Sequence, residues 1–179
     1  MPRWLICLVT AFFAGPAFAA DVTALEVVDS GLYRARTTGE QPAPLAVNGR
    51  TKTITDIEFY ETTSHVPART GIRFGTRFRI RGTPPGQAVR LRSVWRIPDP
   101  GIRNPDSGRI YRESISEFTA TIGALHMRGF NFGSRWQILC GEWTQEVWFV
   151  GRKLLSQTFT VEDCQGVPTA ARRAAAPAG

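Results

Sequence analysis

Cys140-Gly141-Glu142-Trp143-Thr144-Gln145-Glu146-Val147-Trp148-Phe149-Val150-Gly151-Arg152-Lys153-Leu154-Leu155-Ser156-Gln157-Thr158-Phe159-Thr160-Val161-Glu162-Asp163-Cys164 reads as a β-hairpin with a clasp across its open end. The first arm is aromatic and β-branched, the composition that suits a pleated, half-buried surface. Gly151-Arg152 fits a two-residue turn with glycine first, a type II′ signal. The second arm alternates, with Leu155, Phe159 and Val161 on one face. Folded about Arg152, Trp143 meets Val161 and Cys140 stands opposite Cys164, which brings their Cβ atoms near disulfide range.

The compartment implied by that clasp agrees with the start of the chain. Residues 1–19 carry Arg3, an apolar run from Trp4 to Phe13, a Gly15-Pro16 break and an Ala17-Phe18-Ala19 site, the order of a secretory signal peptide cleaved after Ala19. A membrane anchor is the competing reading, but the run is short for a span. Cleavage removes Cys7 and leaves an even pair, Cys140 and Cys164, in an oxidising compartment. Two free buried thiols are the alternative. The product is expected to be periplasmic or secreted, without a transmembrane segment.

Working outward, residues 20–164 hold enough apolar sequence for one domain. Leu25 to Arg36 reads as a strand with a bulge at Gly31. Thr37 to Arg50 reads as a loop in which Asn48-Gly49 could close a hairpin. Lys52 to Thr63 is a strand and Ser64 to Gly71 a turn around Pro67. Ile72 to Gly82 alternates cleanly, with Phe74, Phe78 and Ile80 on one face. Thr83-Pro84-Pro85-Gly86 is a turn, and Ala88 to Ile97 is expected to be the partner strand, with Val89, Leu91, Trp95 and Ile97 inward. Pro98 to Gly108 is a loop; Arg109 to Ile122 and Leu125 to Trp136 are further strands. Residues 165–179 have too little to bury and are expected to be a disordered tail. About eight short strands with turn signals between them predict an all-β chain, an antiparallel β-sandwich.

The chain bears 22 Lys+Arg against 15 Asp+Glu, a net charge of +7. The excess is concentrated. Arg73, Arg77, Arg79, Arg81, Arg90, Arg92 and Arg96 lie between residues 72 and 97 with no acid among them, while acids outnumber bases over the rest of residues 20–164. If those strands pair as a hairpin, their polar faces form an arginine ladder. Like charges opposite one another across strands destabilise, so acids on a neighbouring strand (Glu58, Glu61, Glu113 or Glu117) or an anionic ligand must offset it. The two readings are a solvated, neutralised face and an anion-binding face. Export disfavours nucleic acid and points to lipopolysaccharide phosphates or an acidic glycan.

From Thr62 to Val161 the chain resembles a family of exported bacterial domains of unknown function. The resemblance is carried by Val66-Pro67-Ala68, Gly71-Ile72-Arg73-Phe74-Gly75, Gly82, Trp95-Arg96-Ile97-Pro98, Gly108, and Gly141-Glu142-Trp143 through Leu154, Phe159 and Val161, with Val28 to Tyr33 as the opening strand. It implies an Ig-like sandwich and supplies no activity or catalytic residue. The pattern has a proline before its Gly-x-Trp, where this chain has Cys140.

Little else carries chemistry. His65 and His126 are the only histidines, and their spacing suggests neither a metal site nor a cofactor. No Gly-x-Ser-x-Gly turn supports a hydrolase. Glu113 and Glu117 would sit roughly 13 Å apart along a strand, too far to act as a carboxylate pair. Asp99, Asn104 and Asp106 match no calcium loop and read as turn formers. Trp148 falls on the face opposite Trp143, Val147 and Phe149, as a partner-binding patch if that face is open and as core if it is covered. The expectation is an exported monomeric module that binds an envelope protein or an anionic glycan and is not an enzyme.

Overall fold

A computed structural model describes residues 20–164; the expected signal peptide and tail lie outside them. Alternating apolar residues set the strands and their inward faces. In chain order these are β1 (Asp21–Pro42), β2 (Arg50–Glu61), β3 (His65–Pro67), β4 (Arg73–Thr83), β5 (Ala88–Arg96), β6 (Ile102–Arg103), β7 (Ile110–Tyr111), β8 (Glu113–Thr121), β9 (Leu125–Asn131), β10 (Gly141–Phe149) and β11 (Arg152–Glu162). A single 3-10 turn spans Arg135–Gln137, and the described residues contain no α-helix. One sheet runs β2-β1-β4-β9, the other β3-β11-β10-β5-β8, and β6-β7 form a small ribbon. The architecture is the expected all-β sandwich of two sheets, antiparallel except where β3 joins β11 in parallel.

The core has two apolar lobes. One gathers Phe74, Trp95, Phe130, Phe132, Trp143 and Phe159; the other gathers Val22, Phe78, Ile80, Leu91, Phe118 and Val147. Phe74 anchors the first, with Trp95 edge-on to its ring at 5.2 Å and Phe159 at 5.3 Å, separations at which aromatic pairs add to simple burial. Between the lobes the inward positions are polar: Thr76 of β4 and Gln145 of β10 meet across the gap at 2.9 Å.

The β10–β11 hairpin forms with a different turn. Val150 and Gly151, with φ of 43° and 76°, are its central residues. Positive φ at both makes this a type I′ turn, whose twist matches the flanking strands, rather than the type II′ turn expected at Gly151-Arg152. A bulge follows between Val147 and Trp148, and Trp143 pairs with Phe159 rather than Val161. Phe159 and Val161 share a face, so the inward set survives the shift. Cys140 and Cys164 are nonetheless disulfide-bonded, with Cα atoms 6.2 Å apart. Cys164 lies past the end of β11, and Asp163, at φ 62°, turns the chain there.

Three other expectations change. The segment from Thr37 is not a loop: β1 continues to Pro42, and with the start of β2 it forms an arm closed by residues 43–49, including Asn48-Gly49. The expected turn around Pro67 contains β3. Gly31 keeps regular pairing with Gly75, and the irregularity towards β2 falls between Leu32 and Tyr33. Gly31 is required by close approach, since a Cβ there would meet the Glu61 carbonyl oxygen at 2.1 Å.

The largest correction concerns β4 and β5. They are not a hairpin: β4 pairs with β1 and β9, β5 with β10 and β8, in different sheets. The Thr83–Gly86 turn carries the chain from one sheet to the other. Arg73, Arg77, Arg79 and Arg81 therefore stand on the outer face of one sheet, and Arg90, Arg92 and Arg96 on the outer face of the other.

Candidate functional site

The separated arginines find partners close by. Arg77 donates through Nε to Asp29 at 2.6 Å, and Arg81 to Glu26 at 2.7 Å, both acids being on β1. Arg79 donates to the Gly123 carbonyl at 3.0 Å. On the other sheet Arg90 and Arg92 share Glu117, and Arg96 binds Glu113 and Glu146. The side-chain hydrogen bond from Arg90 and its charge, with Arg92 adding to both, hold the Glu117 carboxyl below its usual range. Strand pairing makes this neutralisation local, because Arg92 lies directly opposite Glu117 and Arg96 opposite Glu113. Glu113 and Glu117 act as the neutralising acids expected of them; on β4 that task falls to β1.

Trp148 is half-buried on the outer face of its sheet. Its Nε1 donates to Glu146 at 3.0 Å, and the Lys153 ammonium sits 5.7 Å from the ring centroid. Glu146 is itself buried, although it points away from the core. Burial pushes its carboxyl up, but the hydrogen bonds from Trp148 and Lys153, with the charges of Arg96 and Lys153, outweigh that and leave it below the usual range. Trp148, Ile115 and Val150 line a shallow groove of about 620 Å³ with Arg90, Arg92 and Arg96 along it.

His65 and His126 do not converge. His65 pairs with Glu162 at 3.1 Å on the surface, and His126 accepts the Thr121 N–H through Nε2 at 3.0 Å. Asn104 takes the turn-forming role, its Oδ1 accepting the N–H groups of Asp106 and Ser107, while Asp99 pairs with Arg112. No group of three or more potential metal ligands occurs among the described residues, and no helix among them is long and apolar enough to cross a membrane.

A deeper cleft lies beneath the β1–β2 arm. The tip of the arm docks on β8 of the opposite sheet: Ile115 N–H donates to the Leu45 carbonyl at 3.0 Å, and the Val47 N–H to Ser114 Oγ at 3.1 Å. Asn104 and Gln137 tie down the same loop through the Val47 carbonyl and the Asn48 side chain. Ala46 and Val47 are buried by this docking. Between the arm and β9, reaching to Ser93 of β5 and Ser116 of β8, is a cavity of about 480 Å³.

Its lining is basic. Arg50, Lys52, Arg73 and Arg128 face two acids, Glu40 and Asp106. Arg50 pairs with Glu40 at 3.2 Å. Arg73 donates to Thr37 at 3.0 Å, and burial pushes the Tyr33 phenol up to about 12 against the pull of the Arg73 charge. Arg128 is the unusual member. It sits in register with Thr76, on the same inward face of β9 as Phe130. Its guanidinium carbon lies 3.7 Å from the centre of the Phe118 ring, its Nε is buried without a hydrogen-bond partner, and no carboxylate among the described residues pairs with it. Burial pulls its pKa down to about 10, although Tyr33 opposes the shift. It stays charged at neutral pH, and a desolvated charge without a counter-ion is costly.

Of the residues singled out for anion binding, only Arg73 reaches this cleft. Arg50, Lys52 and Arg128 were missed. Arg128 had a readable signal: in Arg128-Gly129-Phe130-Asn131-Phe132 the arginine shares strand parity with two core phenylalanines.

Comparison with known proteins gives a family. No curated protein matches the chain. Among solved structures, an immunoglobulin-like protein (PA1606) from Pseudomonas aeruginosa is similar at 18% sequence identity and a TM-score of 0.49, over 78% of this chain and 98% of that one. The family model described as a domain of unknown function (DUF3859) matches residues 21–161, and the chain belongs to that family.

Proposed function

We propose that the protein is an exported, non-catalytic binding module that takes an anionic ligand in the cleft beneath the β1–β2 arm. The observation that carries this reading is Arg128, a charged side chain turned inward with a buried, unpartnered Nε and no carboxylate. Such a group is stabilised when an anion completes its hydrogen bonds. Arg73 and Lys52 add positive potential at the same cleft, and its volume lies within the range of small-ligand sites. The sheet-surface arginines are self-neutralised and do not form the site.

The test is binding of heparin, as a general acidic glycan, to the purified protein across a salt series. Salt-sensitive binding that Arg128→Met abolishes and Arg79→Ser/Arg90→Ser leaves intact is the expected result. Loss in the second variant alone would return the site to the sheet surface.

The groove beside Trp148 supports a second reading, a docking face for an envelope protein. Val150 at its rim is 82% exposed. Association there would persist at high salt and weaken in Trp148→Ala.

A further inference from the structure

The arrangement of the cations within the cleft says what kind of anion fits. Arg128 projects from the inner face of β9, and Arg73 from the outer face of β4. In the β4–β9 ladder Arg128 is registered against Thr76 and Arg73 against Asn131. The two positions are three residues apart, roughly 10 Å along the strands. Lys52 belongs to a third element, the arm. The charges are thus strung along the cleft rather than gathered at one point. A phosphoryl group, with two charges on one small centre, is best held by convergent donors such as a nest of backbone N–H groups or a helix N-terminus. This lining holds no α-helix N-terminus among the described residues, and its cations come from separate strands.

The surface between the cations is suited to sugar rings. Ser93 and Ser116 are paired opposite one another on β5 and β8, and both line the cleft. Asn131 lines it near Arg73, and the half-buried Trp136 presents an aromatic side chain. Hydroxyl and amide groups can serve ring hydroxyls, an aromatic face can cover the C–H side of a pyranose, and a guanidinium fork fits a single carboxylate in bidentate fashion.

We infer that the ligand is a short acidic oligosaccharide bearing carboxylates, of the uronic acid type, with one carboxylate on Arg128 and another towards Arg73 and Lys52. This rests on the reading that the cleft binds anions, and it selects spaced sugar carboxylates over clustered phosphates.

The probes are trigalacturonate, its methyl ester, and inorganic pyrophosphate, each titrated into the purified protein by calorimetry and by NMR of the arginine Nε–H signals. Trigalacturonate is expected to bind and to shift the Arg128 Nε–H signal. The ester and Arg128→Met should each weaken binding by about tenfold or more, the scale of a lost charged hydrogen bond. Arg128→Lys should restore only part of the affinity, because the fork is lost. Pyrophosphate or heparin binding that depends on Arg128, with no trigalacturonate binding, would overturn the sugar-carboxylate inference and leave the anion cleft standing. No anion shifting the Arg128 signal would overturn both. The signal is read in the wild-type protein, so the test survives a variant that fails to fold.

Discussion

Thr76 on β4 donates its hydroxyl to the side-chain oxygen of Gln145 on β10 at 2.9 Å, across the middle of the sandwich, with both residues fully buried. The amide nitrogen of Gln145 then donates to the Arg128 carbonyl at 2.9 Å. A polar bridge therefore joins both sheets between the two apolar lobes and fixes the backbone of the strand that carries Arg128.

Thr76→Val should destabilise the fold by about 1–3 kcal/mol, because it leaves a buried amide oxygen without its donor. Changing both residues, Thr76→Val with Gln145→Leu, should cost less than the sum of the single changes. Denaturant unfolding of the four proteins of this cycle checks it; strict additivity would show that the bridge couples nothing.

The Cys140–Cys164 bond joins residues 24 apart in sequence. Constraint of the unfolded chain over such a loop is worth about 3 kcal/mol. Cys140→Ser/Cys164→Ser should lower the unfolding free energy by that order and leave the far end of the hairpin, at Val150 and Gly151, unchanged by NMR. Thiol titration of the unreduced protein finding both cysteines reactive would refute the bond.

His126 gives the fold a dependence on mild acid. Burial, with Arg128 nearby, holds its imidazole below the ordinary 6.5, and its Nε2 lone pair accepts the Thr121 N–H. Between 6.5 and the lower folded value the unfolded chain binds a proton that the folded one does not. Stability should accordingly fall as pH drops from 6.5 and level off below the folded value. In His126→Gln this component should vanish, as read from urea midpoints at steps from pH 8 to pH 5.

Glu146 acts in the same direction at lower pH. Its carboxyl is ionised below the ordinary 4.5 because the partners Trp148, Lys153 and Arg96 outweigh its burial. The stabilisation is complete above 4.5 and is lost as pH falls through the folded value. Glu146→Gln should narrow its stability deficit against wild type as the solution is acidified below 4.5. The Trp148 fluorescence of wild type should change over the same interval, and an unchanged spectrum would place the titration elsewhere.

Part of this molecule was legible residue by residue. Phe74, Phe78 and Ile80 were correctly placed on one face, Leu91 and Trp95 inward, and Phe159 with Leu155 and Val161, because strand alternation is a property of the chain alone. The faces of β10 and β11 were right even though the turn and register were not, since the actual pairing differs by an even step. The arm was missed because Gly39, Pro42 and Pro44 resemble loop residues; β1 gains its last turns of pairing only from β2 and from docking on β8. Of the cleft, Arg73 was singled out as part of a β4–β5 hairpin face that does not form, and Arg128 was not singled out.

Most of the strands, their inward faces and the two cysteines that close the last hairpin follow from the order of residues along the chain, because alternation depends only on near neighbours. Which strands pair between distant parts of the chain is set by the packing of the two sheets. Thr83-Pro84-Pro85-Gly86 has the composition of a hairpin turn, yet packing of two apolar faces against each other sends β4 and β5 into opposite sheets. That choice dissolves the arginine ladder into locally neutralised pairs. It also places Arg128, Arg73 and Lys52, from three separate strands, around one cleft, since side chains distant in sequence come together only when sheets and arm are assembled.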